Sequence, residues 1–95
     1  MKINFSARHF EATDQLREFV TSEIEHLSRF FEGRLSCDVI LEENGNIKAA
    51  EIRLNMLGKV LPVRVEGNDF YKLIPKGVVK LEKQMLAQKS KITKR

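Results

Sequence analysis

Lys72, Lys76, Lys80 and Lys83 recur at intervals of four, four and three residues. On a helix this spacing puts four ammonium groups on one side, roughly 160° from Ile74, Val78, Leu81 and Met85. Those apolar residues step by four, three and four and suit a core. A row of cations does no covalent chemistry; it binds anions, above all the repeated phosphates of a nucleic acid. From Lys72 to Arg95 seven Lys and one Arg stand against one acid, Glu82, so this segment is +7. The whole chain is +4, which leaves residues 1–71 at −3. A charged helix face is ordinarily a solvated face of mixed sign, with Glu four residues ahead of Lys. Here aligned lysines repel, by about 0.2–0.5 kcal/mol per pair. A polyanion lying against the row would offset that cost.

The other reactive residue types carry less. Cys37 falls on the apolar side of a strand and reads as a small buried hydrophobe rather than a nucleophile. A single cysteine excludes an internal disulfide and a cysteine metal cluster. His9 and His26 are too few and too far apart for a ligand motif, and His9 near Glu11 reads as surface decoration. There is no phosphate-binding glycine loop and no serine–histidine–acid set at recognisable spacing. The expectation is a protein that is not an enzyme and needs no cofactor or metal.

The elements that must position the lysines follow from pattern and turns. Residues 2–7 alternate, with Ile3, Phe5 and Ala7 on one face, as in a half-buried strand. Thr13 stands as an N-cap with Asp14 in the first turn, and Leu16, Val20, Ile24, Leu27 and Phe31 run at helical spacing to a stop at Gly33. A first helix is predicted at about 13–31. Asn44-Gly45 and Gly58-Lys59 read as two-residue hairpin turns, giving strands at about 35–43, 47–57 and 60–66. That register sets Val39 opposite Ala50, Cys37 opposite Ile52, Leu54 opposite Val63, Ile52 opposite Val65 and Met56 opposite Leu61. On the other face it opposes Asp38 to Glu51, Glu51 to Glu66 and Arg53 to Arg64. Like charges directly opposite are unfavourable; diagonal neutralisation makes this a self-paired solvent face rather than a second anion site.

An apolar sheet face and two amphipathic helices make an α+β two-layer β-α-β-β-β-α sandwich, with a right-handed first crossover and both helices on one face of a four-stranded sheet. Pro75 and Gly77 sit inside the second helix. Asp69 as a cap, with Phe70, Tyr71 and Ile74 on the apolar face, favours an early, distorted start. Pro75 as the first helical residue is the alternative. Ninety-five residues make one domain, with residues about 89–95 read as a flexible basic tail. No stretch has the roughly 20 apolar residues of a membrane span, and MKINFSARHF has no signal-peptide core, so the chain reads as cytoplasmic and as a monomer when free.

The order EATDQLREFV at 11–20, HLSRFF at 26–31, VEGNDFY at 65–71 and KLEKQ at 80–84, followed by Lys89 and Lys91, resembles a known family along the whole chain. It is similar to the short ribosome hibernation promoting factors and ribosome-associated inhibitor A proteins, also called sigma-54 modulation proteins. The resemblance implies a fold similar to double-stranded-RNA-binding domains. It also implies binding to the small ribosomal subunit and its ribosomal RNA, in the channel used by messenger and transfer RNA. The consequences would be inhibited translation and inactive ribosomes in stationary phase, with a second hibernation factor as a further partner. Lys80, Lys83, Lys89 and Lys91 match the family's basic positions in the second helix, and Arg29 a basic position late in the first. Lys72 and Lys76 extend the row from the helical wheel alone. Pro75 replaces an acidic or amide residue and Ala87 a basic one, which puts the path of the second helix and part of the contact set in question. With its last residue at Arg95, the chain is expected to lack the C-terminal dimerisation domain of the long factors and the tail of the inhibitor subtype. A protein-binding transcription regulator is the rival, and steep salt dependence separates phosphate binding from it.

Overall fold

The alternation near the N-terminus forms strand β1 (Lys2–Arg8) in a computed structural model that describes residues 1–93. Its odd residues Ile3, Phe5 and Ala7 are half-buried and its even residues exposed. Thr13 caps helix α1 (Asp14–Glu25), its hydroxyl accepting the Leu16 N–H at 3.1 Å. Leu16, Val20 and Ile24 are buried. The expected helix to about residue 31 is too long. At His26 the winding tightens to a 3-10 turn, His26–Phe30, and Phe31 is extended. The tighter turn is a common way to end a helix, and here it keeps Leu27 in the core. Gly33 is therefore not the stop.

Strands β2 (Leu35–Asn44), β3 (Ile47–Met56) and β4 (Lys59–Gly67) complete a sheet in the order β1-β2-β3-β4. β1 runs parallel to β2, across the helical crossover, and the other pairs are antiparallel. Both predicted turns are misplaced by one residue. The first has Gly45 and Asn46 at its centre, between Asn44 and Ile47, and only Gly45 has positive φ, at 61°. The second is centred on Leu57 and Gly58, both with positive φ, at 53° and 78°. A positive φ at both central residues is the signature of a type I′ turn, whose twist matches that of the strands.

Moving a two-residue turn by one position moves every partner by two. Val39 thus pairs with Ile52, Cys37 with Leu54, Ile52 with Val63, Leu54 with Leu61, and Met56 with Lys59. A two-residue shift leaves every side chain on its predicted face. Val39, Ile52, Leu54, Val63 and Val65 are all buried under the helices, and Arg53 and Arg64 are exposed on the open face. The charge oppositions do change. Asp38 faces Arg53 and Glu51 faces Arg64, so the like-charge conflicts of the predicted register vanish.

Helix α2 (Phe70–Thr93) takes the early start, with Pro75 inside it. The Asp69 carboxylate accepts the Tyr71 N–H at 2.9 Å, and its carbonyl accepts from Lys72 and Leu73 at 3.1 and 3.0 Å. Gly77 has a packing reason. A Cβ there would stand 3.0 Å from Ile52 Cδ1 and 3.7 Å from Val63 Cγ1 and Val65 Cγ2, so glycine lets the helix approach the sheet. Both helices share one core with the inner sheet face, giving the two-layer α+β sandwich in the order β-α-β-β-β-α. Lys94 and Arg95, part of the basic tail, lie outside the described residues.

Candidate nucleic-acid interface

The core fixes which side of α2 is free. Ile74, Val78, Leu81 and Met85 are buried against the sheet, which leaves Lys72, Lys76, Lys80 and Lys83 exposed on the far side. None of these four makes an ion pair among the described residues, and neither does Glu82. Several cations elsewhere are engaged. Arg53 bonds Glu51 at 2.6 Å, Arg64 reaches Glu66 at 3.1 Å and Glu51 at 3.9 Å, and Lys48 meets Glu43 at 3.3 Å. Arg17 lies 4.9 Å from the centre of the Phe5 ring. Exposed pairs add little stability, but they cancel charge locally. The middle of the open sheet face is self-paired, whereas the α2 face is not.

Lys76 and Lys80 also border a groove of about 550 Å³ between α2 and β4, with Arg64 and Glu66 on its other bank. Only the fold brings Arg64 near the row; no sequence spacing signals it. A shallow recess of about 410 Å³ lies among Lys76, Lys80 and Lys83, with Pro75 and Val79 as its apolar part. Val79 is 47% exposed and Leu86, seven residues on, 51%. That pair off the core stripe was the one sequence signal for an apolar strip beside the lysines. On the β4 side, Gln84 Nε2 donates to the Pro62 carbonyl at 2.9 Å and locks the helix to the edge strand.

The remaining candidates gather elsewhere. Lys89 is about 120° round the helix from Lys83. Its Nζ lies 3.5 Å from the Phe30 carbonyl, beside exposed Arg29 on the 3-10 turn. The structure thus brings Lys76, Lys80 and Lys83 together, and Lys89 to the segment of Arg29, as two neighbouring groups. Lys91 belongs to α2 by its backbone; its side chain lies outside the described residues.

The other reactive groups are placed differently. Burial, with a smaller contribution from Asp38, pushes the Cys37 thiol up to about 12. It is a neutral core group. His9 is exposed, with Nε2 3.7 Å from Glu42. Among the described residues no three His, Cys, Asp or Glu stand where they could share a metal ion, and no helix is long and apolar enough to cross a membrane. What the arrangement can do chemically is hold anions.

Comparison with known proteins bears on the family and the fold. The family described as Sigma 54 modulation protein / S30EA ribosomal protein matches residues 3–93. The ribosome hibernation promoting factor of Salmonella typhimurium is 29% identical over 92 residues, covering 97% of both chains. That of Azotobacter vinelandii is 30% identical over 91 residues, covering 96% of this chain and 85% of the relative. Among solved structures, the N-terminal domain of Thermus thermophilus Protein Y superposes with a TM-score of 0.83 at 31% identity, over 90% of this chain and 96% of that one. A ribosomal subunit interface protein from Coxiella burnetii gives 0.82 at 22% identity, over 95% and 99%, and supports the fold.

Proposed function

Because the chain belongs to the sigma 54 modulation protein / S30EA ribosomal protein family, we propose that it is a ribosome hibernation factor that grips the small ribosomal subunit through the lysine face of α2. Bound there, the folded domain occupies the channel that messenger and transfer RNA need. Translation stops, and inactive ribosomes accumulate in stationary phase. The mechanism is occlusion, without chemistry. Lysines meet ribosomal RNA phosphates and release condensed counterions. Phosphate and shape contacts suffice for structured RNA, whose deep major groove hides the bases. The observation that carries this reading is the row Lys72, Lys76, Lys80 and Lys83, exposed and without a carboxylate partner among the described residues, while Arg53 and Arg64 of the sheet are paired. Arg29, Lys89 and Lys91 extend the contact around the end of the helix layer.

The test is small-subunit binding by the Lys80→Gln/Lys83→Gln protein at several salt concentrations, with circular dichroism to confirm folding. Both side chains point away from the core, so the fold should stand. Each lost phosphate contact should lower the slope of log affinity against log salt by roughly one. A folded double variant with unchanged affinity and slope would reduce the row to a solvated face.

A further inference from the structure

A second cluster of unpaired donors lies at the end of the sandwich where β1 and β2 begin, with Ser28 of the 3-10 turn on its helix-side bank. Rows of residues cross the open face, one from each strand. The row Asn4, Asp38, Arg53 contains a carboxylate, and so does the row Ser6, Ile40, Glu51, Arg64. The last row is Lys2, Ser36, Asn55, and it contains none. These three residues, with Arg34 from the link into β2 and Leu57 from the β3–β4 turn, line a cleft of about 680 Å³. That volume is in the range of small-ligand sites. Among the described residues no Asp or Glu lines it. Lys2 and Arg34 make no ion pair among the described residues, unlike Arg53 and Arg64. Asn55 Oδ1 already accepts the Gly58 N–H at 3.2 Å, which leaves the Asn55 amide nitrogen as a donor toward the cleft. Ser36 adds a hydroxyl. An ammonium, a guanidinium, an amide N–H and a hydroxyl therefore border one cleft, a donor set that suits the several oxygens of a phosphate group. Leu57, 58% exposed and in the left-handed region at φ 53°, offers an apolar wall for a sugar or base.

We propose that this cleft binds the phosphate group of a nucleotide, with the ribose or base against Leu57. The site shares no lining residue with the grooves beside the lysine face. The phosphate comes either from a free nucleotide or from an RNA backbone, and the test separates the two. Backbone amide spectra of the isotope-labelled protein are recorded during titration with inorganic phosphate, guanosine 5′-monophosphate and a short RNA duplex, each at matched ionic strength, with chloride as the control anion. Saturable shifts of the Arg34, Ser36, Asn55 and Gly58 amides with phosphate or the monophosphate, absent with chloride, establish a free-nucleotide site. Shifts of those amides with the duplex alone establish a backbone-phosphate site. In either case Arg34→Gln, which removes an exposed and unpaired side chain, should weaken the binding seen at those amides about tenfold. The Lys80→Gln/Lys83→Gln protein should retain the cleft shifts in full, so failure of the α2 reading leaves this one standing. If none of the three probes moves the cleft amides of the unaltered protein beyond the chloride control, the proposal is overturned.

Discussion

Leu57 holds φ at 53°, a region in which a β-carbon crowds the following carbonyl, at a cost of about 1–2 kcal/mol. Asparagine tolerates that region, and Asn-Gly is the preferred pair for this turn. Leu57→Asn should therefore raise stability by about 1 kcal/mol, read as an upward shift of the thermal midpoint. The sequence pattern missed this because a leucine beside Gly58 looks like the end of a strand, and only the backbone shows it turning. Cys37 was legible, since strand alternation alone put it inside. Its thiol stays protonated when folded until about pH 12, against 9.0 for an unperturbed thiol. A group whose folded pKa is raised contributes stability that is complete below the unfolded value and is lost as pH rises toward the folded one. Unfolding free energy should consequently fall between about pH 9 and 12 more steeply for the unaltered protein than for Cys37→Ala. Urea titrations of both at pH 8 and pH 10.5 check the difference, because the two proteins differ in no other titratable group.

Helix α2 carries two residues that usually break helices, and they act in opposite directions. Pro75 is inside the helix, so the Tyr71 carbonyl has no amide partner at that position. Pro75→Ala restores the bond and removes the ring crowding, a gain of about 3 kcal/mol in a regular interior. Extra freedom of the unfolded chain takes back about 0.4–1 kcal/mol. Some packing by the half-buried ring is lost as well, so a net gain of about 1–2 kcal/mol is expected in thermal denaturation. Gly77 is different, because the sheet lies where its side chain would be. Gly77→Val should cost about 1–3 kcal/mol through overpacking against Ile52, measured in the same way. Sequence reasoning saw both as obstacles, since the contact that explains Gly77 comes from residues 52, 63 and 65. Periodicity made the strands and the lysine row legible, because both depend only on neighbours along the chain. The register was not legible at the level of pairs, since inside–outside alternation survives a two-residue error. The clue was the like-charge opposition of Arg53 with Arg64. In the observed register each faces or adjoins a carboxylate. Arg64 beside Lys76 and Lys80 was beyond reach, as it requires knowing that α2 lies along β4.

Across the molecule, charge is sorted by layer. Lys72, Lys76, Lys80 and Lys83 on the exposed face of α2 make no ion pair among the described residues, while the open sheet face largely neutralises itself. Net charge is then a poorer guide to anion binding than its placement. Glu18→Gln/Glu23→Gln on α1 and Glu51→Gln on the sheet all make the protein more positive. At physiological salt, where screening acts over about 8 Å, they should change small-subunit affinity by no more than about twofold, whereas loss of Lys80 and Lys83 should weaken it markedly. Binding isotherms for the variants at one salt concentration make the comparison. The border of the sheet at β4 has a further consequence. A strand at a sheet edge presents free backbone groups to which another copy can attach, and proteins that leave such a border open are prone to fibrous precipitation. Here Pro62 has no N–H to offer, and its carbonyl is already taken by Gln84. The middle of the border is thus blocked twice, once by covalent structure and once by the helix that also carries the lysines. Gln84→Ala reopens the acceptor. Light scattering of concentrated, folded protein over days should then rise above that of the unaltered chain, which makes one glutamine a guard on how densely this molecule can be stored.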